Sequence, residues 1–328
     1  MTEVLLGVDI GGTTTAAGLV TPAGEVVSEV QAPTHRGGPG TAEQTIVELI
    51  DAARSEAAAR GFRISGIGVG APGVVDAARG RIGEHVPNVP ELAGQPLAAS
   101  LAGRFGLPVF LDNDVNALAL AEWIFGPERG VRSLVVLAPG TGFGAAIILE
   151  SRLVRGASGF AGELGHVPIK FDGRPCWCGG RGCLAVYTSG RGIAEAARQA
   201  AVGEAGAALV RAAGGDPLGI TAAHVFGAAE DGDPLATAIA DEACLALAAM
   251  LGGIVNGLNP EAVIITGGVA VAYARCEKKV MRAAAGYAFE RALGGTRIRF
   301  IPGDKRRSMR GAAALVLYER GAAGGSQP

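Results

Sequence analysis

A chain of 328 residues with 49% hydrophobic and 18% charged residues has room for two domains of ordinary size and a globular composition, which excludes wholesale disorder. Its formal net charge of -2 lacks the electrostatic footprint of a nucleic-acid-binding or anionic-membrane-binding protein. Five cysteines, three of them crowded between Cys176 and Cys183, are too badly spaced for a disulfide framework and suit reduced thiols in the cytoplasm.

The chain opens M-T-E-V-L-L-G-V-D-I-G-G, without the basic and apolar regions of a secretory leader, so none is expected. Alternating apolar and β-branched residues predict strands at Val4–Asp9, Ala16–Val20 and Val26–Val30. Between the first two lies D-I-G-G-T, Asp9 to Thr13. Gly11 and Gly12 would allow a turn with positive φ whose N–H groups approach an anion, and Thr13 adds a hydroxyl. The same residues also suit an ordinary hairpin turn. Asp9, an acid at the end of an apolar strand, favours the phosphate cradle because it can hold Mg²⁺ through water.

A helix is expected at Thr41–Arg60 and a strand at Gly66–Val69. Gly68, Gly70 and Gly73 match the spacing G-x-G-x-x-G, but Pro72 and the extended V-V-D after Gly73 do not open the helix that a dinucleotide fingerprint requires. The turn at Gly73 is better suited to bringing backbone close to a small polar ligand. No Walker A lysine pattern occurs, which excludes P-loop kinases. A helix at Pro96–Phe105 and a strand at Val109–Leu111 lead into L-D-N-D-V-N, Leu111 to Asn116, and then a helix at Val115–Phe125. One polar side chain suffices to cap that helix, and three stand together. A carboxylate at a sheet's carboxyl edge can take the proton of a hydroxyl attacking a γ-phosphoryl group, and Asp114 is the expected base.

Strands at Leu134–Leu137 and Ala145–Leu149 flank P-G-T-G-F-G, Pro139 to Gly144. A shift of 128 residues lays Val8–Val20 over Val136–Ile148, with Gly12-Thr13 on Gly140-Thr141. Thr141 and Gly142 therefore read as a second phosphate turn, this one without the acid. Downstream, His166, Cys176, Cys178 and Cys183 form a Cys₃His set in a glycine-rich loop that has no hydrophobic pattern of its own. That set suits structural Zn²⁺, the alternatives being buried apolar cysteines or a transient redox pair. Helices are expected at Arg191–Ala201, Ala222–Ala229, Pro234–Asn256, Ala272–Glu290 and Arg310–Arg320, with strands at Val263–Thr266 and Arg297–Ile301. The apolar run Ala243–Val255, 13 residues long, is short of the ~20 that span a bilayer and reads as a core helix, so no membrane partner is expected. Lys278-Lys279 and Arg306-Arg307 read as solvated faces.

Seven of these segments resemble, in the same order, motifs of the ROK family of sugar kinases and repressors. They are D-I-G-G-T at Asp9, G-A-P-G-V-V-D at Gly70, D-N-D-V-N at Asp112, G-T-G-F-G at Gly140, G-E-L-G-H at Gly162, C-W-C-G-G-R-G-C at Cys176 and I-T-G-G-V at Ile265. The resemblance implies an α/β, two-lobed actin-like ATPase (ribonuclease H-like) fold with an interdomain cleft. Residues 1–113 would form the small lobe, joined by the helix at about 310–320. Residues 114–309 would form the large lobe, with the zinc loop at 166–183, and 321–328 a disordered tail. It further implies ATP gripped at Thr13 and Thr141, adenosine near Gly267 and Gly268, and a hexose facing Asn88, Asn113, Asp114, Glu163 and His166. A homodimer is the family default.

Where the family pattern reads C-L-E, this chain has Cys183-Leu184-Ala185. In the resembling family the Glu of that pattern binds sugar hydroxyls, and losing its charge-assisted hydrogen bond costs roughly 1.5–3 kcal/mol, one to two orders of magnitude in affinity, unless another group compensates. The expected activity is ATP-dependent phosphorylation of glucose. The alternatives are a kinase for allose, mannose, fructose or N-acetylmannosamine, or a weakly catalytic sugar sensor. The phosphate strand beginning near Val4 leaves no winged helix-turn-helix ahead of it, so no nucleic-acid partner is expected.

Overall fold

In chain order the first elements are β1 (Thr2–Ile10), β2 (Thr14–Val20), β3 (Val26–Pro33), α1 (Ala42–Ala59), β4 (Phe62–Ala71), the short pair β5 (Val75–Asp76) and β6 (Arg81–Ile82), α2 (Leu97–Phe105), β7 (Val109–Asn113) and α3 (Asp114–Phe125). They are followed by β8 (Leu134–Pro139), β9 (Phe143–Leu149), β10 (Arg152–Leu153), α4 (Ala185–Thr188), α5 (Gly190–Ala200), α6 (Ala207–Ala212), α7 (Ala222–Glu230) and α8 (Pro234–Leu258). The chain closes with β11 (Ala262–Gly267), α9 (Ala270–Arg275), α10 (Glu277–Ala284), α11 (Glu290–Gly295), β12 (Arg297–Pro302) and α12 (Lys305–Ala323). This computed structural model describes residues 2–84, 86, 88–303 and 305–323.

All nine expected strands are present, and the internal repeat extends to whole sheets. One sheet runs β3-β2-β1-β4-β7 and the other β10-β9-β8-β11-β12. In the first, β1 pairs antiparallel with β2 and parallel with β4, which pairs parallel with β7. In the second, β8 and β12 both pair parallel with β11. Each hairpin thus leads into two parallel strands whose carboxyl ends form a ligand-binding edge.

The chain divides into two compact units, Met1–Arg132 with Ala146–Ala161 and Asp304–Pro328, and Ser133–Ala145 with Gly162–Gly303. The sequence-based boundary at 113/114 differs from this division, which keeps α3 with the first sheet. The cause is α12, which packs on both α3 and the sheet. Residues 321–323 of the expected tail belong to α12, and the remainder of that tail lies outside the described residues.

In the first unit β1 is buried on both faces, as a central strand must be. Val4, Leu6, Val8 and Ile10 join the main core with Ile46 and Ile50 of α1. Leu5 faces the other way, in a small cluster with Ala313 and Val316 of α12. On that second face Gly18, Gly7 and Gly68 share one register row, and α12 lies directly on it. A Cβ on Gly7 would fall 2.1 Å from the Met309 carbonyl oxygen, and one on Gly68 1.7 Å from that of Ala312. The glycine row is the seat of the last helix. Arg307, expected on a solvated face, instead ion-pairs at 2.6 Å with the buried Glu122 of α3.

In the second unit α8 is apolar and long enough to cross a bilayer by length and composition, yet 61% of its most apolar window is buried within the protein. It is a core helix, as its composition suggested. The single helix expected at Ala272–Glu290 is broken into α9, α10 and the start of α11. At the break between α10 and α11, Asn256 of α8 engages the main chain: its Nδ2 donates to Tyr287 O at 2.8 Å and its Oδ1 accepts from Phe289 N at 3.0 Å. Main-chain groups engaged this way cannot continue a helical ladder.

Candidate active site

In the first unit the carboxyl ends of β1, β4 and β7 set Asp9, Gly70 and Asp112 in one row, Asp9 opposite Gly70 and Gly70 opposite Asp112. Asp9 and Asp112 are both buried. A Cβ on Gly70 would lie 3.4 Å from the Cα of Asp114, so the row runs directly beneath the start of α3.

The three polar residues of D-N-D divide their work. Asn113 is the N-cap of α3, its Oδ1 accepting from Val115 N at 2.9 Å and Asn116 N at 3.2 Å. Its Nδ2 donates to Gly73 O at 2.9 Å, where Gly73 turns the chain at φ 80°, a conformation that favours glycine. The second Nδ2 hydrogen of Asn113 has no partner among the described residues. Asp112 accepts from Asn113 N at 2.7 Å, Asn116 Nδ2 at 2.8 Å and Arg155 Nε at 2.7 Å. Arg155 also donates to Glu319 of α12 at 2.5 Å. Asp114, half-exposed in the first turn of α3, stands where the helix dipole favours a carboxylate.

The turn between β1 and β2 does not use its glycines as expected. Neither Gly11 nor Gly12 has a positive φ. Gly12 is needed for space: a Cβ there would lie 2.6 Å from the Cβ of Asn88. Asn88 is exposed, so this packing sets the expected sugar-binding amide against the phosphate turn. The Thr34 hydroxyl donates to Gly11 O at 2.6 Å and fixes the turn from below, leaving Thr13 exposed.

In the second unit the turn between β8 and β9 is held by main chain. Gly190 N donates to Gly140 O at 2.8 Å, Arg191 N to Thr141 O at 3.1 Å and Val269 N to Pro139 O at 2.9 Å. Gly267 sits at φ 122°, and a Cβ on it would lie 2.7 Å from Pro139 O. The Thr141 and Gly267-Gly268 turns therefore meet at one edge. A Cβ added to Gly140, Gly142 or Gly268 would meet no atom of the described residues within 4 Å, so the surface there is bare.

The metal set is assembled in the same unit. The ligand atoms of His166, Cys176, Cys178 and Cys183 all lie within 4.8 Å of one another. Cys176 Sγ is 3.6 Å from His166 Nδ1, and Cys178 Sγ is 3.7 Å from Cys183 Sγ. A tetrahedron with Zn–S bonds of about 2.3 Å has edges of about 3.7 Å, so the set fits zinc. Burial pushes the Cys183 thiol up to about 12 and raises that of Cys176, while the Gly180 N–H lowers that of Cys178. A divalent cation would reverse the first two, because a coordinated thiol is deprotonated. A cation held at His166 Nδ1 would leave the ring proton on Nε2 and make that nitrogen a donor. Glu163 is half-buried, and its carboxylate makes no hydrogen bond or ion pair among the described residues. Ala185 is 1% exposed at the start of α4.

Two residues that bind this site together, Arg155 and Glu319, were not singled out in the sequence. The signal available was a lone cation in V-R-G-A-S-G.

A model of the ROK family matches residues 5–319. The glucokinase of Thermotoga maritima is 37% identical over 270 residues, 81% of this chain and 82% of that protein. An N-acetyl-D-glucosamine kinase of Escherichia coli is 31% identical over 274 residues, 80% of this chain and 83% of that protein. A crystal structure of a ROK family glucokinase from Streptomyces griseus, in complex with glucose and AMPPNP, matches with a TM-score of 0.73 and 34% identity over 95% of this chain and 98% of that one.

Proposed function

The chain belongs to the ROK family and has its two-lobed, actin-like α/β fold, and from that premise we propose that it is an ATP- and Mg²⁺-dependent sugar kinase that phosphorylates glucose at its 6-hydroxyl. Asp114 is the general base. The observation that carries this reading is the placement of D-N-D: Asp112 is buried against Arg155 and Asn113 caps α3, while Asp114, its Oδ1 accepting from Val115 N at 2.8 Å, is half-exposed in the first turn of α3 at the carboxyl edge of the sheet. The base takes the proton as the oxygen attacks the γ-phosphorus, and the rest of the catalysis is positioning and charge neutralisation.

Asn88, the remaining N–H of Asn113, the backbone at Gly73, the Glu163 carboxylate and His166 Nε2 hold the sugar hydroxyls. Asp9 holds Mg²⁺ through water. The Gly11-Gly12-Thr13 and Thr141-Gly142 turns take the phosphates, and the Gly267-Gly268 turn, bare at Gly268, takes the adenosine. Zn²⁺ held by His166, Cys176, Cys178 and Cys183 orders a loop that has no apolar core of its own and orients His166. The protein works in the cytoplasm as a homodimer, in keeping with the family.

Ala185 favours a second reading. A buried methyl there removes the carboxylate of the C-L-E pattern, which suits a hexose differing at that hydroxyl, and the similarity to an N-acetyl-D-glucosamine kinase shows that relatives at this distance differ in substrate. ADP release across a panel of glucose, mannose, allose, fructose, N-acetylmannosamine and N-acetylglucosamine, with D114A as control, tests both. Turnover of glucose above the other sugars supports the first reading and preference for another hexose the second. Sugar binding without ADP release would identify a sensor and discard both.

A further inference from the structure

We propose that Glu91 is a positioning residue for the sugar-binding amide of Asn88: one oxygen of its carboxylate clasps the loop that carries Asn88 to the segment that buttresses the phosphate turn. The proposal rests on the reading of Asn88 as a sugar ligand. The fixed side of the clasp is Thr34, fully buried, whose N–H donates to Thr13 O at 2.9 Å and whose hydroxyl donates to Gly11 O at 2.6 Å. The next residue, His35, brings its Nε2 within 3.0 Å of Glu91 Oε1. The same oxygen accepts from Ala42 N, at the start of α1, at 3.2 Å. The first N–H groups of a helix need such an acceptor, and α1 does not supply its own. Thr41 makes no cap bond, because its hydroxyl is engaged with Gly37 N at 3.1 Å and Gly38 O at 2.7 Å. A carboxylate 49 residues further along the chain fills the place instead, where the helix dipole favours it.

Glu91 lies in the short helical turn Pro90–Leu92, just after Asn88. Leu92 N donates to Val89 O at 2.9 Å and Ala93 N to Pro90 O at 3.1 Å, which closes the turn between Asn88 and the clasp. Val86, Val89 and Leu92 are buried beneath it and set the depth of the loop, but apolar contact is non-directional. The heading of the exposed Asn88, whose Cβ lies against Gly12, needs a directional bond, and Glu91 supplies it. His35 and Glu91 line a surface groove with Pro39 and Pro90, so losing the pair opens no cavity in the core.

The test is the split between the two KM values, from ADP release with the best hexose of the panel and MgATP varied in turn, beside Tm. E91A should raise the sugar KM about tenfold, the scale of a small misplacement of a binding group, and leave the KM for MgATP within about twofold, because Thr34 still holds the phosphate turn. Its Tm should stay within about 3 °C of wild type, as expected for a partly exposed pair. E91Q keeps the accepting oxygen and should hold the sugar KM within about twofold, a rescue that a requirement for negative charge would not allow. H35A, which leaves the bond to Ala42, should raise it about threefold. An unmoved sugar KM in E91A, an equal rise in both KM values, or an E91Q as impaired as E91A overturns the proposal. Should E91A fail to fold, H35A decides, and an unmoved sugar KM there overturns it. N88A separates the two ideas, since it keeps the Cβ against Gly12 and removes the amide alone. A raised sugar KM in N88A with an unmoved E91A sinks the positioning role alone, whereas a wild-type sugar KM in N88A sinks the reading of Asn88 as a ligand.

Discussion

The two glycine–threonine hairpins share sequence and sheet position but are built differently. Around the first, side chains add to the main chain: Thr34 N donates to Thr13 O at 2.9 Å, Asn88 fills the space above Gly12 and the Thr34 hydroxyl donates to Gly11 O. Around the second, main-chain N–H groups of Gly190, Arg191 and Val269 hold the turn, and Gly140 and Gly142 face open space. The charge differs as well, since the position of Asp9 is taken in the repeat by Leu137, fully buried. A duplicated turn has diverged into one charged edge that adds side-chain support to its main-chain bonds and one bare edge held by main chain. Where protein atoms crowd a glycine, the fold explains it.

Removing charge from the first edge should have the largest effect. D114N is expected to lower kcat by about 10³-fold, within the range for loss of a general base, and D9N to lower kcat/KM for MgATP by about 10- to 100-fold. Both are read from ADP release, and wild-type turnover in either would break the contrast. Next comes the metal loop of the second unit. Chelation of Zn²⁺ or C183A should raise the sugar KM about 10- to 100-fold, the scale of losing a metal's supporting shell. It should also change the emission of Trp177, whose ring lies 6.5 Å from that of His166. Unchanged emission and KM would make the loop independent of metal.

The glycines themselves give the sharpest test. G12A should cost about 1–3 kcal/mol of stability, because the new methyl meets Asn88, seen as a fall in Tm. G140A should leave Tm unchanged and raise the KM for ATP about tenfold. Equal stability losses in the two variants would erase the distinction between a crowded and a bare turn. The smallest effect is expected on α4, whose end leads into the α5 turn that holds Thr141. A185E should change the KM of at least one hexose by about tenfold; identical values for every sugar would show that position 185 does not read the substrate.

Much of the fold was legible because its signals are local. Strand alternation located nine strands, the 128-residue offset announced two sheets of one topology, and C-x-C-x₄-C with an upstream histidine named a metal set that the chain brings within 4.8 Å. The site was legible as motifs but not as a division of roles. Nothing local distinguishes Asp112 from Asp114, two acids in one turn, until Arg155 claims the first. The helix expected across Ala272–Glu290 has good local propensity, and between α10 and α11 it is interrupted where Asn256, remote in sequence, takes the main chain at Tyr287 and Phe289.

By itself the sequence determined the α/β class, the duplicated hairpin, the candidate Cys₃His set and the polar residues at the carboxyl ends of the strands, since each depends on spacing along the chain. Only tertiary structure decided which glycine is crowded and which is bare, where α12 sits, and which carboxylate is neutralised. Those outcomes depend on the approach of segments remote in sequence, as for Asp112 and Arg155 with a separation of 43, and no local pattern records which partner arrives.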